Sequence, residues 1–159
     1  MITKCCIVCL CITASAMLGL AHTKSKRSRV RYFDACVRLT DVLIAEMSFR
    51  RNGLTDVLNA FAENEKSELK AHIAAFCNAP YEPFVPAGRL LKADEKRLVT
   101  EFFGCLGTTD AQTQIFALQG YKQRFGEIYE QESEAFRRTG TVGLKLSVLL
   151  GLAVGILIL

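Results

Sequence analysis

Residues 109–138 read TDAQTQIFALQGYKQRFGEIYEQESEAFRR, and they open on a helix start signal. Thr109-Asp110-Ala111-Gln112 has the T-x-x-Q spacing of a capping box, with Asp110 favourably placed in the first turn. From there Ile115, Leu118, Tyr121, Phe125, Ile128, Glu132 and Ala135 follow a near-heptad rhythm towards Arg138, the period of a helix that buries one stripe. As a single helix the 28 residues from Ala111 to Arg138 would be about 42 Å long. Gly120 and Gly126 each weaken it by about 1 kcal/mol relative to alanine, so close packing against a neighbour is expected to compensate.

Working outward, the same period recurs and no stretch alternates for long enough to suggest a strand. Val30 to Phe49 carries Phe33, Cys36, Val37, Leu43, Ile44 and Met47 on one stripe. A turn at Gly53, Leu54 and Thr55 leads to Leu54, Val57, Leu58 and Phe61 at helical spacing, with Thr55 as the expected cap. Leu69, Ile73, Phe76 and Cys77 form a third stripe, after which Pro80, Pro83 and Pro86 impose a loop. Ala93 to Leu106 reads as a short helix facing inward through Leu98, Phe102, Cys105 and Leu106, stopped by Gly107 as a left-handed residue would stop it. The reading is an all-α, antiparallel helical bundle.

The chain has 159 residues, 50% hydrophobic and 23% charged, with mean hydropathy +0.21. Those averages hide a partition. Cys5 to Ala21 contains no charged residue, and Thr141 to Leu159 contains only Lys145. Residues 1–21 are expected to form an N-terminal transmembrane anchor and residues 141–159 a C-terminal transmembrane helix. Their apolar runs would span about 25 and 28 Å as helix, against a hydrocarbon core of roughly 30 Å. Residues 22–140 remain for one helical domain with one core, which excludes a multidomain enzyme, a disordered acidic chain and a disulfide-framework toxin.

Twenty bases against 16 acids give a net charge of +4, too small to argue for nucleic acid. Placement says more than the total. Lys24, Lys26, Arg27, Arg29 and Arg31 follow the first apolar run, Arg137 and Arg138 precede the second, and every acid falls between Asp34 and Glu134. Basic collars beside both runs predict a multi-pass cell-membrane protein with its domain in the cytosol and both termini outside. Four of the seven cysteines lie in the first apolar run, and Cys36, Cys77 and Cys105 fall on helix faces as reduced core residues. The competing reading is a cleaved signal peptide ending near Ala16 or Ala21. It predicts an exported, C-terminally anchored helical protein that binds a ligand through its Tyr81 to Pro86 loop.

The residues show no constellation for catalysis. No G-x-S-x-G, Walker loop, G-x-G-x-x-G or H-E-x-x-H occurs. Of two histidines, His22 lies at the edge of the first apolar run, and His72 is read as lying opposite the stripe of Ile73, on a solvated face. Asp94, Glu95 and the Glu127, Glu130, Glu134 row are read as a solvated acidic face, and Tyr81, Phe84 and the prolines as a wrapped connector. No enzyme activity, cofactor or metal is expected.

In order and spacing the chain resembles stage III sporulation protein AB, a component of the channel apparatus of endospore-forming bacteria. Four stretches carry the resemblance. They are the Leu-x-x-Glu-x-x-aromatic helix end at Leu43, Glu46 and Phe49, the turn Asn52-Gly53-Leu54 into Leu58, Leu106-Gly107-Thr108-Thr109-Asp110 to Gln114, and Arg137-Arg138-Thr139-Gly140 before a terminal apolar run. The family's usual proline before Leu54 is here Gly53, and its usual serine before the aspartate is Thr109.

The resemblance implies a non-catalytic platform component of a sporulation secretion channel, in the mother-cell membrane surrounding the forespore. It implies a soluble part like the helical (F-type) domains of type II secretion and type IV pilus platform proteins. As partners it implies a secretion-type cytosolic ATPase, other channel subunits and a possible homo-oligomer. Gly107, Thr109, Asp110, Gln112 and Gln114 then either fix the angle between two helices or contact a partner at an exposed corner.

Overall fold

A computed structural model of the chain describes residues 2–49, 53–80 and 82–158, with side chains described through 23–138 outside the gaps and at a few positions beyond. Among the described residues the fold is all-α. The five helices are α1 (Ile2–Phe49), α2 (Leu54–Asn64), α3 (Leu69–Asn78), α4 (Ala93–Cys105) and α5 (Ala111–Ile158). The chain divides into two compact units, one from residues 1–27 with 131–159 and one from residues 28–130.

The expected pair of membrane spans is not found. Among the described residues no helix is long and apolar enough to cross a membrane, which overturns the multi-pass placement and the mother-cell membrane location with it. Neither apolar run is a discrete element. Each is one end of a 48-residue helix that continues unbroken through charged and amphipathic sequence. Most side chains of the two runs, Cys5, Cys6, Cys9 and Cys11 included, lie outside the described residues.

Within residues 28–130 the helical stripes converge on one core. Tyr32, Phe33, Leu39, Leu43, Leu58, Leu69, Ile73, Val99, Phe102, Phe103, Leu118 and Phe125 are almost fully buried, each contributing about 1.5–3 kcal/mol through its apolar surface. Phe33 meets Phe125, and the Lys122 ammonium lies 2.6 Å from Asp41. Partners on α5 thus fall in number as those on α1 rise, so the two helices run antiparallel here.

Aromatic contacts close into a ring. Tyr32 touches Phe33, Phe33 touches Phe125, Phe125 touches Phe102 and Phe102 touches Phe103. From Phe103 the contacts pass to Phe84 in the α3–α4 connector, to His72 on α3 and back to Tyr32. Centroid separations of 4.5 Å for Phe84–Phe103 and 5.4 Å for Tyr32–Phe33 lie within the favourable range for aromatic pairs. The ring joins α1, α5, α4, the connector and α3, while Arg38 bonds Glu65 at 2.9 Å and ties α1 to the α2–α3 turn.

Two local expectations shift. Thr55 is not the cap of α2, which starts at Leu54 behind Gly53. Gly120 and Gly126 are not packed closely inside the unit, since a Cβ built on either would meet nothing within 4 Å.

Candidate functional site

The corner between α4 and α5 gathers the residues singled out in the sequence. Gly107 takes φ +75°, a left-handed conformation that L side chains resist, and so turns the chain out of α4. The Cys105 carbonyl then receives three donors: Thr108 N at 3.5 Å, Thr108 Oγ1 at 2.9 Å and Gln114 Nε2 at 3.4 Å. Gln114, only 3% exposed, therefore reaches back from the first turn of α5 to the last of α4.

The cap of α5 is Asp110 rather than Thr109. Its Oδ2 accepts the Thr113 amide at 3.1 Å, and its carbonyl accepts the Gln114 amide at 3.0 Å. The Thr113 amide, with the hydroxyl beside it, holds the Asp110 carboxyl below its ordinary range. A carboxylate accepts such a bond with full negative charge at the positive helix end, which explains the one-residue shift from the hydroxyl. Gly107, Thr108, Thr109, Asp110, Ala111, Gln112 and Thr113 are all exposed.

The turn at Gly53, Leu54 and Thr55 lies beside this corner. Leu54 Cδ2 would stand 3.5 Å from a Cβ on Gly107, and Leu54 is half-buried between exposed Gly53 and Thr55. Gly53 has φ −58°, a value that proline also takes. Asn52 lies outside the described residues.

The basic residues do not act alike. Arg29 is part of the bundle core rather than a collar: its side chain is 11% exposed and donates to Glu95 Oε1 at 2.6 Å and to the Leu90 carbonyl. Glu95 is correspondingly buried, not on a solvated acidic face, and its Oε2 accepts the Lys92 amide at 2.8 Å at the start of α4. Lysine has no acceptor to complete the other half of a capping box, so K-x-x-E gave no capping signal in the sequence. Lys24, Arg27, Arg31, Arg137 and Arg138 are exposed, Lys26 is half-buried, and Arg138 pairs with Glu134 one turn earlier on α5.

His72 is also buried, not on a solvated face. Its Nε2 lies 3.1 Å from the Ala87 carbonyl and its Nδ1 2.7 Å from the Tyr32 hydroxyl. A carbonyl only accepts, so Nε2 carries the proton and Tyr32 donates to Nδ1. This is the neutral tautomer, and burial favours it by pushing the imidazole below its ordinary pKa. Burial likewise raises the Tyr32 phenol and the Cys36 thiol.

Phe84 and Pro86 are buried, so the connector is folded against the core around Phe84; Tyr81 lies outside the described residues. Cys36, Cys77 and Cys105 are free thiols. Among the described residues no three His, Cys, Asp or Glu side chains gather where they could hold a metal. A cleft of about 500 Å³ lies between α4 and α5, with Leu98 and Ile128 among Asp94, Arg97, Glu101, Arg124 and Glu127. Its interleaved charges suit a surface contact better than a chemical step.

Residues 88–159 match the family model described as stage III sporulation protein AB. The match includes α4, the Leu106–Gln114 corner and α5, whereas the two other resembling stretches, at Val42–Phe49 and Asn52–Leu58, precede it. No curated protein and no solved structure matches the chain. The similarity to the stage III sporulation protein AB family thus covers residues 88–159, the part of the chain that holds the glycine stop, the acidic cap and the glutamine of the corner.

Proposed function

We propose that the chain is a non-catalytic scaffold of the stage III sporulation channel, and that its α4–α5 corner docks a secretion-type ATPase. One observation carries this reading. Inside the family-matched span, an exposed polar surface from Gly107 to Thr113 is held in one shape by a left-handed glycine, a cap and a buried cross-corner glutamine. A surface fixed in advance loses little conformational entropy when a partner binds. On the same reading the helical body is the counterpart of the platform domains of type II secretion and type IV pilus machines, a comparison supported by its all-α content.

The test uses the full chain co-expressed with the ATPase of the same host. Thr109→Ala together with Gln112→Ala changes exposed side chains only, so the thermal melt should stay that of the parent. Retention of the ATPase by the affinity-tagged chain should fall to background. Parental retention by the double variant would contradict the assignment.

A further inference from the structure

The outer face of α5 has two features that packing among the described residues does not account for. Phe116 is 79% exposed. One turn further, Gly120 stands in mid-helix, where glycine is unfavourable, although a Cβ there would meet nothing within 4 Å. The helix thus presents a large apolar knob and a bare backbone notch about 6 Å apart along its axis.

We propose that this face pairs with the same face of a second copy, antiparallel about a two-fold axis level with Leu118. An interface on a two-fold axis must be self-complementary. A knob and a notch spaced equally about the axis meet that condition, with Phe116 of each copy seated over Gly120 of the other. The missing Cβ is what lets a ring approach the backbone there.

The charges fit the same operation. It sets Gln112 opposite Arg124 and brings Asp110 level with Gly126, about 3 Å along the axis from Arg124 of the other copy. An acid and a base therefore meet at both ends, and no like charges face each other. Asp110 and Arg124 are exposed, and Gly126 also has nothing within 4 Å of an added Cβ. A partner of different sequence would require no such symmetry. The pairing shares Asp110 and Gln112 with the corner proposed for the ATPase, so self-association is measured on the chain alone and ATPase retention separately, which keeps the failure of one distinguishable from the failure of the other.

A single helix pair makes a small interface, so the full chain should show a concentration-dependent monomer–dimer equilibrium in sedimentation. Phe116→Ser removes the knob and Gly120→Leu fills the notch. Each should raise the dimer dissociation constant about tenfold or more, and neither should lower helical content or the melting temperature of the monomer. Raised salt should weaken the parental dimer through the Asp110–Arg124 contacts. A chain that stays monomeric at all concentrations, or an oligomer that survives both substitutions, overturns the pairing. Loss of ATPase retention in Phe116→Ser with self-association intact would assign the face to the ATPase and overturn it equally.

Discussion

His72 is held neutral by its two hydrogen-bond partners. Protonation would place a second N–H against the Tyr32 hydroxyl, which already donates to that nitrogen, inside a site that disfavours charge. Nearby Glu68 favours the charged form and Lys96 opposes it, but burial dominates and the folded pKa is lowered. The unfolded chain therefore binds the proton first as pH falls. The stabilisation from His72 should be complete above the ordinary histidine value of about 6.5 and decline below it until the folded pKa is passed. Urea midpoints at pH 7.5 and 5.5 should show this decline in the parent and a smaller one in His72→Gln. An equal decline in both would place the titration elsewhere.

Arg29 offers a second test at this scale. Arg29→Met leaves the buried Glu95 carboxylate with only the exposed Lys92 ammonium at 3.7 Å and the Lys92 amide, and loss of one partner of a buried pair costs about 3–5 kcal/mol. Chemical denaturation should record a loss of that order. Arg29→Met with Glu95→Met should be more stable than Arg29→Met alone, because the buried carboxylate that lost its closest cation is removed as well.

At the scale of elements, the α4–α5 corner depends on a backbone conformation that only glycine adopts freely. Gly107→Ala should destabilise the fold by about 1–2 kcal/mol, read as a lower denaturation midpoint. Asp110→Ala should also lower the melting temperature by removing the acceptor for the Thr113 amide, whereas Asp110→Asn should retain most of the cap.

The stripes of α2, α3 and α4 were legible in the sequence because their apolar residues recur at three and four positions. The stop at Gly107 was legible because a left-handed C′ residue favours glycine. His72 was misread although Leu69, His72, Ile73 and Phe76 share helical spacing: an apolar stripe is at least 100° wide, so a residue next to Ile73 can lie within it. Arg29 and Glu95 were misread for a different reason. Charged residues imply solvent until a partner is known, and theirs lies 66 positions away in the chain. No local pattern reports that distance.

At the scale of the whole molecule, the aromatic ring through Tyr32, Phe33, Phe125, Phe102, Phe103, Phe84 and His72 makes the helices of residues 28–130 depend on one another. Phe103 touches Phe76, Phe84 and Phe102 at once. Phe103→Ala should therefore cost about 3–5 kcal/mol. The loss should appear as one cooperative transition followed equally by far-UV circular dichroism and tyrosine fluorescence; separate transitions would show that the elements unfold independently.

The helices of residues 28–130 carry the corner proposed to dock a partner, and the proposed role as a sporulation scaffold is tested most directly in sporulating cells. The direct measurement is complementation of a strain lacking the parental gene, scoring heat-resistant spores together with the level of the protein. The chain with Thr109→Ala and Gln112→Ala should accumulate to the parental level and fail to restore spores. Parental spore counts from that variant would contradict the account.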